Sequence, residues 1–162
     1  MGKYFGTDGI RAVAGEFPLV DDFITKLGYV ALDELKKATA CRYLKPQVII
    51  AQDSRASGPQ ILSALEKGIR ASGVNVISIG ISTTPSVAYL VKQTGSLGGV
   101  VISASHNPSY FNGIKFFTNG GTKLPESLEN AIEARLDNLS SVPAPTGTYT
   151  ENVSLVKQYE QF

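Results

Sequence analysis

The sequence predicts an α/β fold with a mixed, mainly parallel sheet, and three observations carry that prediction. Short apolar runs recur at residues 47–51, 74–79 and 100–102, each giving way to small or polar residues. Amphipathic stretches with helix start and stop signals lie between them, the alternation that builds right-handed βαβ units around a parallel core. The gap between Ile102 and Ile114 is too short for a helical crossover, so residues 113–117 are expected to return antiparallel.

Taken in order, residues 3–15 (KYFGTDGIRAVAG) are punctuated by glycine and carry Asp8 and Arg11; they read as a strand and turn on the sheet edge. Phe23, Ile24, Leu27, Val30, Ala31 and Leu35 recur at helical spacing, with Asp21 and Asp22 at the start and Lys36 and Lys37 at the end, as the helix dipole favours. Pro46 introduces the first buried strand, and a polar loop from Gln52 leads to a helix with Ser57 or Gly58 as its cap and Pro59 in its first turn. Ile61, Leu62, Leu65 and Ile69 form the apolar stripe of that helix and Gly73 ends it. The second strand closes at Gly80, Thr84 is the expected cap of the next helix with Pro85 in its first turn, and Gly95 stops it. After the third strand and its antiparallel return, Asn119-Gly120-Gly121 is a turn, and Leu128, Ile132, Leu136 and Leu139 mark a last amphipathic helix. Residues 1–140 are expected to form one domain, with 141–162, which open proline- and threonine-rich, as a linker and tail.

Composition narrows the function. The 162 residues are 43% hydrophobic and 18% charged with a formal net charge of +1, which gives no bulk electrostatic attraction to nucleic acid or a membrane surface. No apolar stretch approaches the ~18–20 residues that span a bilayer. The opening MGKYFGTDGI lacks the apolar core of a signal peptide, and the single Cys41 cannot form an internal disulfide; both suit a reducing cytoplasm.

The chemistry gathers at Ser103-Ala104-Ser105-His106-Asn107-Pro108, a polar break directly after the third strand. Loops beyond the carboxyl ends of strands are where open α/β sheets bind ligands. The surroundings of Ser105 lack the G-x-S-x-G elbow of a hydrolase, and a histidine adjacent in sequence is poorly placed as its base. One histidine and one cysteine far apart make no zinc site, and the phosphate-binding glycine signatures of nucleotide enzymes are missing. What remains is a serine with Arg11, His106 and Lys115 as candidate anion-stabilising groups, a set suited to phosphoryl transfer, where positioning and charge stabilisation do most of the catalysis. The competing reading is an Asn-Pro turn with a satisfied histidine. Asp53 and Arg55, at the end of the first buried strand, read equally as a local ion pair bracing their loop or as companions of the serine.

Residues 103–108 (SASHNP) and 112–117 (NGIKFF), with 4–11 (YFGTDGIR) ahead of them, resemble the phosphoserine loop and opening motif of the α-D-phosphohexomutases. Asp53-Ser54-Arg55 with Ser57-Gly58, and Thr84-Pro85, match that family in order. The resemblance implies a three-layer α/β/α first domain of a longer enzyme. It implies that Ser105 is carried as phosphoserine, adding about −1.5 to −2 of charge. That group is passed to a phosphorylated hexosamine through a bisphosphate intermediate and returned. It further implies His106 and Lys115 as acid/base or charge-stabilising groups, Arg11, Asn107 and Arg55 as phosphate contacts, and Mg²⁺ held through a phosphate oxygen on Ser105. The other metal ligands and the sugar-selecting loop belong to further domains of the parent chain, so the chain alone is expected to fold without mutase turnover.

Two positions depart from the family pattern: Ala12 stands where glycine usually follows the arginine, which would strain a loop needing positive φ, and Phe111 stands where an acidic residue is common. A phosphoglucomutase/phosphomannomutase of the same family and a non-catalytic sugar-phosphate binding module are the alternatives. The second leaves a phosphorylatable serine beside Lys115 without a purpose.

Overall fold

The computed structural model describes residues 2–39 and 45–162; Cys41 lies outside them. Six strands form one sheet in the order β1-β5-β4-β2-β3-β6, with β1 Ile10–Val13, β2 Gln47–Gln52, β3 Asn75–Ile81, β4 Gly98–Ile102, β5 Phe111–Thr118 and β6 Tyr149–Glu151. Strands β4, β2, β3 and β6 run parallel, while β5 is antiparallel to both β4 and β1, so the mixed, mainly parallel sheet is borne out.

Helices cover both faces. On one face α1 (Asp21–Ala38), α2 (Gly58–Ala71) and α4 (Glu126–Leu136) bury Leu27, Leu65 and Ile132 against Ile50, Val100, Ile102 and Phe116. On the other, α3 (Thr84–Thr94) buries Val87, Leu90 and Val91 against Ile49, Ala51 and Val101. Alternate residues of β2 thus enter different cores, which is why a central strand reads as an unbroken apolar run. Helices α1 and α2 approach so closely that a Cβ on Gly68 would overlap the Thr25 carbonyl and one on Gly28 would stand 2.6 Å from the Leu65 carbonyl.

Several local details differ from the sequence reading. Thr83, not Thr84, caps α3: its side chain accepts from the Ser86 backbone N–H at 3.3 Å, one position earlier than the Pro85 rule places it. Ser57 occupies the cap position of α2 but accepts from Asn112 Nδ2 at 2.8 Å instead of from the helix backbone. Within the 141–162 stretch read as linker and tail, β6 pairs in parallel with β3 through Val76, Ile77 and Ser78. A short helix, α5 (Val156–Glu160), then lies on α3 with Tyr159 packed edge-on to Tyr89 at 5.7 Å between ring centres. Ala12 lies within β1, and among the described residues its φ is not positive, so the expected strain is absent.

Candidate active site

The strand order reverses beside β2, and the loops after β2 and β4 meet where Gln52 and Ile102 are register partners. That crevice is the place where open α/β sheets bind ligands. Strand β5 enters from the other side, with Lys115 opposite Val101 and Gly113 opposite Arg11 of β1. Three segments far apart in sequence are thereby brought to one end of the sheet.

Ser105 stands at their meeting point. It is exposed, and among the described residues it is the one non-glycine with positive φ, at 54°. A β-carbon makes that conformation costly, and such outliers persist where surrounding bonds over-determine them. Lys115 Nζ donates to Ser105 Oγ at 3.0 Å and Arg11 Nη2 at 3.4 Å. Arg11 Nη1 also donates to Asn107 Oδ1 at 3.3 Å. The Lys115 side chain is only 10% exposed, so its charge is delivered into a confined space under the loop.

Asp8, which sequence reasoning left outside the site, completes this cation pair. Its Oδ2 lies 2.6 Å from Arg11 Nη2 and 2.8 Å from Lys115 Nζ. The hydrogen bond from Lys115, with the positive charges of Lys115 and Arg11, holds the Asp8 carboxyl below its ordinary range. Gly9 carries φ 80°, and a Cβ there would run into the Ile114 carbonyl; glycine is what lets the turn lie flat on β5. The same segment is pinned from behind by Glu133 of α4, which accepts the backbone N–H groups of Lys3, Tyr4 and Phe5 at 2.9, 2.7 and 2.8 Å. Burial opposes the charge on Glu133, but these three donors outweigh it and lower its pKa.

His106 is exposed beside Ser105, and among the described residues the hydrogen-bond partners of Oγ are Lys115 and Arg11. Arg55 reaches the loop from below: it pairs with Asp53 at 3.0 Å and donates to the Ser105 and Asn107 carbonyls at 2.9 and 3.0 Å. The local ion pair expected from sequence is present, and it braces the serine loop as well as its own. Phe111, the second departure, packs its ring on Tyr110 with 5.2 Å between centres and gives its carbonyl to Arg55.

Among the described residues no group of three or more His, Cys, Asp or Glu side chains could hold a metal ion. The groups hydrogen-bonded to Ser105 Oγ are the cations Lys115 and Arg11. No helix of the described residues is long and apolar enough to cross a membrane.

A family model described as "Phosphoglucomutase/phosphomannomutase, alpha/beta/alpha domain I" matches residues 2–142. The chain is 52% identical over 137 residues to phosphoglucosamine mutase from Aeromonas salmonicida, covering 84% of this chain and 30% of that protein. It is 45% identical over 159 residues to phosphoglucosamine mutase from Deinococcus radiodurans, covering 98% of this chain and 34% of that one. Among solved structures, a phosphoglucomutase/phosphomannomutase family protein from Burkholderia thailandensis superposes with a TM-score of 0.77 at 26% identity, over 96% of this chain and 34% of its own. The chain therefore spans about a third of the length of the curated relatives it matches.

Proposed function

The chain belongs to the phosphoglucomutase/phosphomannomutase family, of which it contains domain I, and from that premise we propose that it is the phosphoryl-carrying domain of a phosphoglucosamine mutase. The reaction is the interconversion of glucosamine 6-phosphate and glucosamine 1-phosphate through a 1,6-bisphosphate, in the cytoplasm, for UDP-N-acetylglucosamine and cell-wall precursors. The observation that carries this reading is Ser105 Oγ, held on a left-handed residue between Lys115 and Arg11.

In the forward half-reaction a hydroxyl oxygen of the sugar phosphate attacks the phosphorus carried on Ser105. The new O–P bond forms as the Oγ–P bond breaks, and the hydroxyl proton passes to the open side of the loop, where His106 stands. Negative charge gathers on Oγ as it leaves; Lys115, 3.0 Å away, meets that charge and supplies its proton. Arg11 holds the phosphoryl oxygens with the planar fork of its guanidinium. In the return half-reaction Ser105 Oγ–H gives its proton back to Lys115 and attacks the other phosphate of the bisphosphate, whose sugar oxygen recovers a proton from the imidazolium. Mg²⁺, when bound, would neutralise phosphoryl charge. A phosphate oxygen carried on Ser105 is the group that would hold it here.

The names of the relatives at 45–52% identity favour a hexosamine phosphate over the glucose and mannose phosphates of the alternative reading. Intact mass and turnover of the complete parent protein test the mechanism. The wild type should carry one phosphoryl group, and Ser105→Ala should lose both that mass and turnover; turnover retained by Ser105→Ala refutes it.

A further inference from the structure

We propose that Arg55 is a positioning residue that locks Ser105 in its left-handed conformation, and that it takes no part in holding substrate phosphate. The proposal rests on the reading of Ser105 as the phosphoryl carrier.

An arginine side chain has five N–H groups, and here every one is spent on protein oxygen. Nε donates to Asp53 Oδ2 at 3.0 Å, Nη1 to the Pro108 and Phe111 carbonyls at 2.6 and 3.1 Å, and Nη2 to the Ser105 and Asn107 carbonyls at 2.9 and 3.0 Å. The side chain is 10% exposed. A phosphate could gain a contact from Arg55 only by breaking one of these bonds. Arg11, in contrast, directs its bonds to the side chains of Asp8, Ser105 and Asn107 in the open part of the site.

The same ion pair also reaches the other end of Ser105. Asp53 Oδ2 accepts from Ser103 Oγ at 2.7 Å, and Ser103 Oγ accepts from the Ser105 backbone N–H at 3.0 Å. Both polar groups of the Ser105 peptide backbone therefore lead back to Asp53 and Arg55, the carbonyl directly and the amide through Ser103. This closed ring supplies the over-determination that a non-glycine residue at φ 54° requires. The planar fork of a guanidinium can serve four carbonyls and a carboxylate at once, which a lysine ammonium with three donors on one atom cannot. Without the ring, Ser105 would relax toward the right-handed region and carry Oγ away from Lys115 and Arg11.

The test is made in the complete parent protein with Arg55→Lys, Arg55→Ala and Ser103→Ala, the last cutting only the amide side of the ring. Arg55→Lys is expected to lower kcat about 100-fold, the usual cost of a displacement near 1 Å, with KM for the sugar phosphate changed by less than roughly threefold. Ser103→Ala is expected to lower kcat in the same direction with KM likewise kept, and it decides the matter if the Arg55 variants do not fold. Full kcat in Arg55→Lys or in Ser103→Ala overturns the proposal. So does a KM that rises while kcat is kept, which would make Arg55 a substrate contact. Ser105→Ala, run in parallel, separates the two layers: loss of turnover there with full turnover in Arg55→Lys sinks the clamp alone, whereas turnover in Ser105→Ala sinks the phosphoserine reading and the clamp with it.

Discussion

The ammonium of Lys115 donates to Ser105 Oγ across a hairpin, at 3.0 Å, and the register of β4 with β5 is the reason. Lys115 sits opposite Val101, so the chain that continues past Ile102 must fold back over it before Ser105 can be placed anywhere else. Removing that charge is predicted to remove stabilisation of the leaving Oγ. Lys115→Met in the complete parent should lower kcat by about 10²–10³, the usual cost of losing one preorganised electrostatic donor. Single-turnover measurement of phosphoryl transfer from Ser105 to sugar phosphate checks this step directly.

Asp8 holds Arg11 and Lys115 by the same oxygen, so it competes with any phosphate for both cations. Asp8→Asn in the 162-residue chain is predicted to tighten binding of inorganic phosphate. Asp8 is half exposed and its influence is screened by solvent, so the gain should be about fivefold or less and should shrink as salt is raised. Chemical-shift titration of the two proteins provides the comparison, and weaker binding by Asp8→Asn would contradict it.

The pH dependence of stability follows from Glu133. Its folded pKa lies below its ordinary value of 4.5, so the unfolded chain binds protons more readily in that range. The stability Glu133 contributes is therefore complete above about pH 5.5 and is lost as the pH falls through 4.5 toward the lowered value. Thermal melts should show Glu133→Gln less stable than wild type near neutral pH and the gap narrowing as the pH falls below 4.5, because the amide cannot gather three backbone donors as a carboxylate does.

The contact between α1 and α2 makes Gly68 intolerant of its smallest replacement. Gly68→Ala must push α2 away from the Thr25 carbonyl. Overpacking of this kind costs about 2 kcal/mol. For a chain of this size that is a fall in Tm of roughly 4–8 °C. An unchanged melting temperature would show that the two helices can separate freely.

Much of this architecture is legible in the sequence because the central strands and the long helices are each written in their own pattern. Gln47-Val48-Ile49-Ile50-Ala51 and the stripe from Ile61 to Ile69 need no tertiary knowledge. What escapes depends on partners distant in the chain. Tyr149-Thr150-Glu151 has too few residues to show a period, and it is a strand only because β3 offers an open edge. Ser57 looks like a helix cap until Asn112 is seen to take its hydroxyl. In the site, Ser105, Lys115 and Arg11 were readable from the loop and the motifs around it. Asp8 was not, because its meaning comes from two cations that the fold brings to it. The reach of Arg55 to four carbonyls between Ser105 and Phe111 likewise leaves no local mark on the sequence.

The positive φ of Ser105 sets stability against turnover at a single position. Any β-carbon in the left-handed region costs about 1 kcal/mol, and glycine is spared most of that. Ser105→Gly should therefore yield a chain that melts about 2–4 °C higher while lacking the atom that carries the phosphoryl group. Selection for robustness alone would favour glycine here, so serine stands as the costlier choice kept for its oxygen.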